Sequence, residues 1–177
     1  MSFAVSGEPF PVRGVHPQGP MKRILILLAL AAASACSPPV DMARAVQVNV
    51  VTSGWLPAGT VDGKNKIVPA VAVTLKNASG EPLNALQVNA VFRLVSSNDE
   101  IASDFRPVTG SGGLPPGGSS ATLFLKAQRG YTGTDPVEDL LKNSRFVDAK
   151  VEVFVKAGSG QWTRLGEYPI AREFTGN

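Results

Sequence analysis

The chain has 177 residues, 17 of them Lys or Arg and 14 Asp or Glu, a length that suits one folded domain. The basic residues are scattered among acidic ones rather than clustered, so no nucleic-acid partner is predicted. The single histidine, His16, and the single cysteine, Cys36, both precede the predicted domain. Ser–His and Cys–His catalysis, a zinc site with nitrogen or sulfur ligands and an internal disulfide are therefore excluded for it, and neither enzyme activity nor a cofactor is predicted.

Residues 21–36 have the pattern of an export signal. Lys22 and Arg23 precede an apolar run over 24–33, which is too short for the roughly 20 residues that a membrane-spanning helix needs. Small residues over 33–35 then precede Cys36. This arrangement resembles the signals of bacterial lipoproteins, in which the cysteine becomes the lipidated first residue of the mature protein. Ordinary secretion, with cleavage after residue 35 and a free thiol at Cys36, is the alternative.

The resemblance implies that the protein is held to a membrane by acyl chains on Cys36, and stable anchoring needs more than one such chain. Ser37 stands where an aspartate would otherwise follow the cysteine, which resembles lipoproteins that are sent on to the outer membrane. We therefore expect an exported protein anchored in the outer membrane and facing the periplasm. Residues 36–43 are predicted to form a tether between the lipid and the domain.

Residues 1–20 contain four prolines and no apolar periodicity. We interpret them as an extension that results from a misplaced start codon, with Met21 as the true initiator, or as a disordered segment. Without residues 1–35, the chain has 142 residues and a formal charge of +1. A chain of this length can bury a competent core, and the domain is predicted over 44–175.

Alternation of apolar and polar residues dominates the domain and predicts half-buried strands. The predicted strands cover 46–50, 69–76, 86–94, 101–106, 121–127, 147–156 and 161–170. A turn is predicted over 77–82 and a hairpin turn over 157–160. One short helix is predicted after Asp135, with Asp135 as its cap, Pro136 in the first helical position and Glu138 completing a capping box.

About seven short strands with one short helix indicate an all-β fold, namely an antiparallel β-sandwich, with a barrel as the alternative. The stretch over 69–92 has an apolar strand that ends in Lys76-Asn77, then a turn, then an alternating strand. It resembles the small Ig-like domains of bacterial lipoproteins that are called FxLYD-like. The resemblance covers about 69–156, and it implies an Ig-like fold used for binding or scaffolding rather than catalysis.

Four residues are candidates for a binding site. Arg129 and Tyr131 lie in a glycine-flanked segment that forms either a binding loop or a turn leading into the helix. Trp55 and Trp162 are large amphipathic aromatics, which in a row on one sheet would suit sugar stacking or a protein anchor. The alternative is structural: Trp162 and Tyr168 close the core and Trp55 plugs its end.

Two other segments have a structural and a functional interpretation. The acidic cluster of Asn98, Asp99, Glu100 and Asp104 favours a polar hairpin turn over a Ca²⁺ site or an acid–base pair for glycoside cleavage. The glycine-rich segment over 109–120 lacks the Gly-Lys-Ser/Thr of a phosphate-binding loop, so a flexible connection is predicted. Arg93, Lys150 and Lys156 are expected to project from polar faces into solvent.

Three functions of different classes fit these observations. The favoured hypothesis is a lipid-anchored envelope protein whose domain binds or scaffolds another envelope protein, with an exposed edge strand as one possible contact. The second is a carbohydrate or cell-wall binding module that uses the aromatic side chains. The third and least favoured is a hydrolase that depends on carboxylates alone.

Overall fold

A computed structural model describes residues 40–110 and 112–176 as one folded unit. The predicted extension over 1–20, the signal over 21–35, the lipidation site Cys36 and the first part of the tether lie outside the described residues. Within these residues, no helix combines the length and the apolar character that crossing a bilayer requires.

The fold is an all-β sandwich of two antiparallel sheets, as predicted. One sheet has β2 (Lys64–Asn77) at its centre, with β1 (Val46–Val61) along one edge and both β5 (Leu123–Lys126) and β6 (Tyr131–Gly133) along the other. The second sheet has the order β4-β3-β7-β8, formed by Glu100–Pro107, Leu86–Leu94, Ala149–Ala157 and Thr163–Pro169. The first sheet thus pairs β2 with β1, β5 and β6, while the second centres on β3 and β7. The described residues hold eight strands instead of about seven, and no barrel closes.

The core lies between the two sheets and consists of residues that alternate along the strands. Val71, Val73 and Leu75 of β2 have no exposed area, and Val88 and Phe92 of β3 are equally buried. These positions follow the predicted period of two, so the expected inward faces are confirmed. Each such aliphatic or aromatic side chain contributes about 1.5–3 kcal/mol to the free energy of unfolding through its burial.

The β1–β2 hairpin is longer than predicted. The alternation in the sequence indicates a strand ending at Val50 and another beginning at Pro69, but the two strands run on to a two-residue turn at Asp62-Gly63. Both turn residues have positive φ, 52° and 72°. Asp-Gly is a favoured pair in such a turn, because both central residues must adopt a left-handed conformation. Because the hairpin is longer, Trp55 belongs to β1, where it pairs with Pro69 of β2.

The described residues hold two one-turn helices, one more than predicted for the domain. The first, α1 (Met42–Ala45), starts within the segment predicted as tether, is capped by the Asp41 carboxylate at 3.1 Å and buries Met42. The second, α2 (Val137–Leu140), begins after Pro136, which serves as the N-cap without a side-chain hydrogen bond.

The predicted capping box at α2 is therefore wrong. Asp135 lies one residue before the N-cap, and its carboxylate instead accepts a hydrogen bond of 2.7 Å from the Asn143 side-chain amide. The extended conformation of Pro136, with φ −50° and ψ 148°, delays the helix by one residue and moves Asp135 out of capping position.

Candidate functional site

A cleft of about 420 Å³ opens at the end of the sandwich where β3 ends, β4 begins and β5 leads into β6. Three of the four predicted binding residues line it together: Trp55, Arg129 and Tyr131. Two charged residues of opposite sign, Glu100 and Arg145, also line it. The remaining lining comes from Gly130 and from the apolar residues Leu94, Ile101 and Val147.

The floor of the cleft is aromatic. Trp55 is only 1% exposed, which confirms the structural interpretation that it plugs the end of the core. Phe146 contacts both floor residues edge to face, with ring centroids 4.7 Å from Trp55 and 5.3 Å from Tyr131. The indole Nε1 of Trp55 is buried and has no hydrogen-bond acceptor among the described residues. The indole N–H can only donate, so the floor keeps an unpaired donor.

The segment Arg129-Gly130-Tyr131 owes its place to its glycine. A Cβ at Gly130 would overlap the main-chain oxygen of Ile67 and lie 2.8 Å from Cα of Val68. Only glycine therefore lets the segment cross the β2 backbone this closely. Tyr131 then pairs with Ile67 as the first residue of β6. The two interpretations of the segment are combined here, because it is a structured strand start that also lines the cleft.

Arg129 and Arg145 differ from every other arginine in the described ranges. Five of the seven arginines form ion pairs with carboxylates, namely Arg44, Arg93, Arg106, Arg164 and Arg172. Neither the Arg129 guanidinium nor that of Arg145 forms an ion pair or a hydrogen bond with a described residue, and both residues are exposed. The two arginines that lack an ion pair among the described residues thus both line this cleft.

Arg145 does not stand out in the sequence, and it is absent from the predicted binding residues. It lies between α2 and β7 in a segment without alternation, and no local pattern sets it apart from the arginines that are paired. Its significance comes only from the ion pairs that the fold provides elsewhere and from its place beside Arg129.

Trp162 does not belong to the cleft. It is 39% exposed and meets Phe105 edge to face on the outer surface of the second sheet, with centroids 6.0 Å apart. The ammonium of Lys156 lies 5.0 Å from the centre of its ring. The prediction that Trp162 closes the core is therefore wrong, whereas Tyr168 does pack against the core. The rings of Trp55, Tyr131 and Trp162 form no exposed row.

The outer surface of the second sheet carries ion pairs rather than isolated charges. Glu152 accepts hydrogen bonds from Arg93 at 2.7 Å and from Arg164 at 2.8 Å. The hydrogen bond from Arg93 is the main reason that the pKa of Glu152 lies below its ordinary value, with partial burial opposing the shift and Arg164 adding to it. Lys150 pairs with Glu167 at 3.2 Å. The expectation that Arg93, Lys150 and Lys156 are simply solvated is thus wrong. Arg93 and Lys150 form ion pairs, and Lys156 lies over the Trp162 ring.

The acidic cluster forms a turn, as favoured from the sequence. Asn98 has a φ of 62° in the β3–β4 connection, and Asp99 accepts a hydrogen bond from Ser97. Glu100 lies 3.7 Å from Arg93, and Asp104 pairs with Arg106 on another surface. Over 40–110 and 112–176, no three residues of the His, Cys, Asp and Glu types lie together as a metal site would need.

Comparisons with known proteins leave the family open. The chain matches no protein-family model and no curated protein sequence. A similar solved structure is described as the X-ray structure of Northeast Structural Genomics Consortium target SoR45. It aligns with a TM-score of 0.39 and 10% identity, over 73% of this chain and 85% of that one.

Proposed function

We propose that this chain is a lipid-anchored protein of the bacterial envelope whose Ig-like domain binds another envelope protein, without catalysis. The observation that carries the binding role is the end cleft, which is lined by the aromatic residues Trp55 and Tyr131 and by two arginines that form no ion pair with a described residue. The sequence before the domain, with its charged start, apolar run and Cys36, supports the anchor.

Binding is favoured over catalysis because the cleft holds few groups that can transfer protons. Residues 37–177 contain no histidine and no cysteine. Among the described residues, Glu100 supplies the cleft's single carboxylate, and it lies 3.7 Å from Arg93. Hydrolysis by carboxylates needs a pair that flanks the reacting bond.

A carbohydrate-binding module is the second candidate, and the exposure of Trp162 and Phe105 is the observation in its favour. Their planes meet at 86°, however, and Lys156 lies against the Trp162 ring. A sugar would therefore meet one ring rather than a flat platform. The cleft, by contrast, combines apolar, aromatic and charged groups, as protein-binding sites do.

The anchor is tested by mass spectrometry of the mature N-terminus isolated from the native membrane. We expect Cys36 as the first residue with acyl chains attached, and we expect a Cys36→Ser variant to leave the detergent phase on phase partition. A mature protein with a free thiol at Cys36 would overturn the anchor.

The binding role is tested with a photo-crosslinking amino acid in place of Val147, which lines the cleft and is 37% exposed. Irradiation of intact cells should join the domain to one envelope protein, identified by mass spectrometry. An Arg129→Glu, Arg145→Glu double variant should lose this product. Lys76→Glu, at an exposed position near the opposite end of β2, should keep it. A product that charge reversal leaves intact, or no product at all, would contradict binding through the cleft.

A further inference from the structure

We infer that the cleft recognises a carboxylate that is attached to an apolar group, as an acidic peptide segment of a protein partner presents it. The inference deepens the proposed function, and it rests on that function for the identity of the partner as a protein. It names the chemistry that the cleft selects, which neither the sequence nor the comparisons assign.

The charged residues that line the cleft suit a ligand with one negative charge. Arg129 and Arg145 supply two positive charges, and Glu100 supplies one negative charge that Arg93 partly compensates. Guanidinium groups bind carboxylates through two parallel hydrogen bonds, so unpaired arginines are well suited to this ligand.

The walls of the cleft require an apolar part in the ligand. Leu94, Ile101 and Val147 line it, and Val147 is 37% exposed. Covering such side chains removes apolar surface from water, which a small hydrated anion cannot do. A peptide with an aliphatic residue beside its carboxylate supplies both parts at once.

The floor is held firmly enough to keep this geometry. Tyr131 pairs with the β2 backbone, and Trp55 belongs to β1, so both floor residues lie on strands rather than on free loops. Phe146 packs against both rings. The two floor residues therefore need little ordering when a ligand binds, whereas Arg129 and Arg145 lie outside the strands.

Trp55 also provides the readout for a test. The chain contains two tryptophans, and Trp162 lies outside the cleft. In a Trp162→Phe background of the full mature chain, Trp55 in the cleft floor is the sole tryptophan. Its fluorescence can be followed during titration with N-acetyl-Ala-Ala-Leu that ends in a free carboxylate, with the same peptide ending in an amide, and with N-acetyl-Ala-Asp-Leu-amide.

We expect a saturating change with the peptides that carry a carboxylate and at least roughly tenfold weaker binding of the neutral amide, as the loss of one charge-assisted interaction implies. The first and third peptides separate a terminal carboxylate from a side-chain carboxylate. Arg129→Gln and Arg145→Gln should each weaken binding by roughly tenfold, whereas Lys76→Gln should not change it. Higher salt should weaken binding as well.

Three outcomes would overturn the inference: equal binding of the acid and amide peptides, no response to any peptide, or a response only to inorganic phosphate or to vesicles of phosphatidylglycerol. They are distinguishable from failure of the proposed function. A crosslink from position 147 to an envelope protein without a preference for carboxylates would leave the binding function standing and remove this inference alone.

Discussion

Trp55 meets Phe146 edge to face, with ring centroids 4.7 Å apart and 71° between the planes. Trp55 belongs to β1 of one sheet, and Phe146 lies just before β7 of the other. The guanidinium carbon of Arg172 lies 5.0 Å from the centre of the same Phe146 ring. The pair therefore joins the two sheets directly beneath the cleft, and Arg172 contributes a cation–π contact near the chain's end.

Replacing Trp55 with alanine should destabilise the domain strongly. The side chain is 1% exposed, so its removal leaves a large cavity, and we expect a loss of about 3–5 kcal/mol in the free energy of unfolding. Urea unfolding followed by circular dichroism measures it. Trp162→Ala removes the same side chain from an exposed position and should cost about 0.5–1.5 kcal/mol through its contact with Phe105. Equal losses in the two variants would contradict the assigned burial.

Asn77 fastens the glycine-rich loop over 109–120 to the first sheet. Its side-chain amide donates to the carbonyl groups of Leu114 and Glu81, both at 2.8 Å, and its side-chain oxygen accepts from the Ser79 backbone at 2.9 Å. Leu114 also exchanges two backbone hydrogen bonds with Leu83. The loop, predicted as a flexible connection, is instead tied to the sheet at its centre.

Asn77→Ala should therefore destabilise the domain more than its small volume suggests. Asn77 has no exposed area, and each buried group that loses its partner costs about 1–3 kcal/mol. We expect a total loss of about 3 kcal/mol in urea unfolding. Asn49→Ala is the matched control, since Asn49 is exposed and its hydrogen bond to Thr74 is 3.4 Å long, and it should change stability by less than about 0.5 kcal/mol. If both variants behave alike, Asn77 does not hold the loop.

Local patterns predict the inward faces of the strands because a period of two is visible within a few residues. They fail where that period is interrupted. Pro57 and the glycines at 54 and 59 break the alternation between Val50 and Asp62, so the outer half of β1 is not visible as a strand in the sequence. The Asp62-Gly63 pair is the signal that could have revealed the hairpin.

The candidate site is predictable by residue type, but its assembly is not. Arg129, Tyr131 and Trp55 have side chains that bind well, and the fold brings them to one cleft. Arg145 cannot be found in the same way. Its lack of an ion pair among the described residues stands out only when the structure shows which other arginines have carboxylate partners. Those partners are distant in sequence, as with Arg93 and Glu152, which are separated by 59 residues.

Gly63→Ala should destabilise the β1–β2 hairpin. Gly63 has a φ of 72°, and nothing lies within 4 Å of the position that a Cβ would take, so the cost is conformational alone. We expect a loss of about 1 kcal/mol, the penalty for a left-handed conformation in a residue with a side chain. Gly80→Ala is the control, because Gly80 is equally open and has no positive φ. Thermal unfolding of both variants measures the difference, and a Gly63 variant no less stable than the Gly80 variant would rule out the assigned turn.

The ion pairs of Glu152 predict how stability depends on pH. Because hydrogen bonds from Arg93 and Arg164 lower its pKa in the folded state, Glu152 stabilises the domain fully above the ordinary glutamate pKa of about 4.3. This contribution is lost as the pH falls from there through the lowered pKa, since protonation breaks the ion pairs. Glu152→Gln should therefore be less stable than the wild type at pH 7, and its stability should fall less between pH 5 and pH 3.

Urea unfolding at a series of pH values tests this sign. Glu173→Gln is the matched control, because its side chain is exposed and forms no ion pair within the described ranges, so its curve should run parallel to that of the wild type. The Glu152→Gln curve should instead converge on the wild-type curve as the pH falls, because protonation removes from the wild type what the substitution removes at every pH. Parallel curves for both variants would show that Arg93 and Arg164 do not stabilise the charged form of Glu152 in the folded domain.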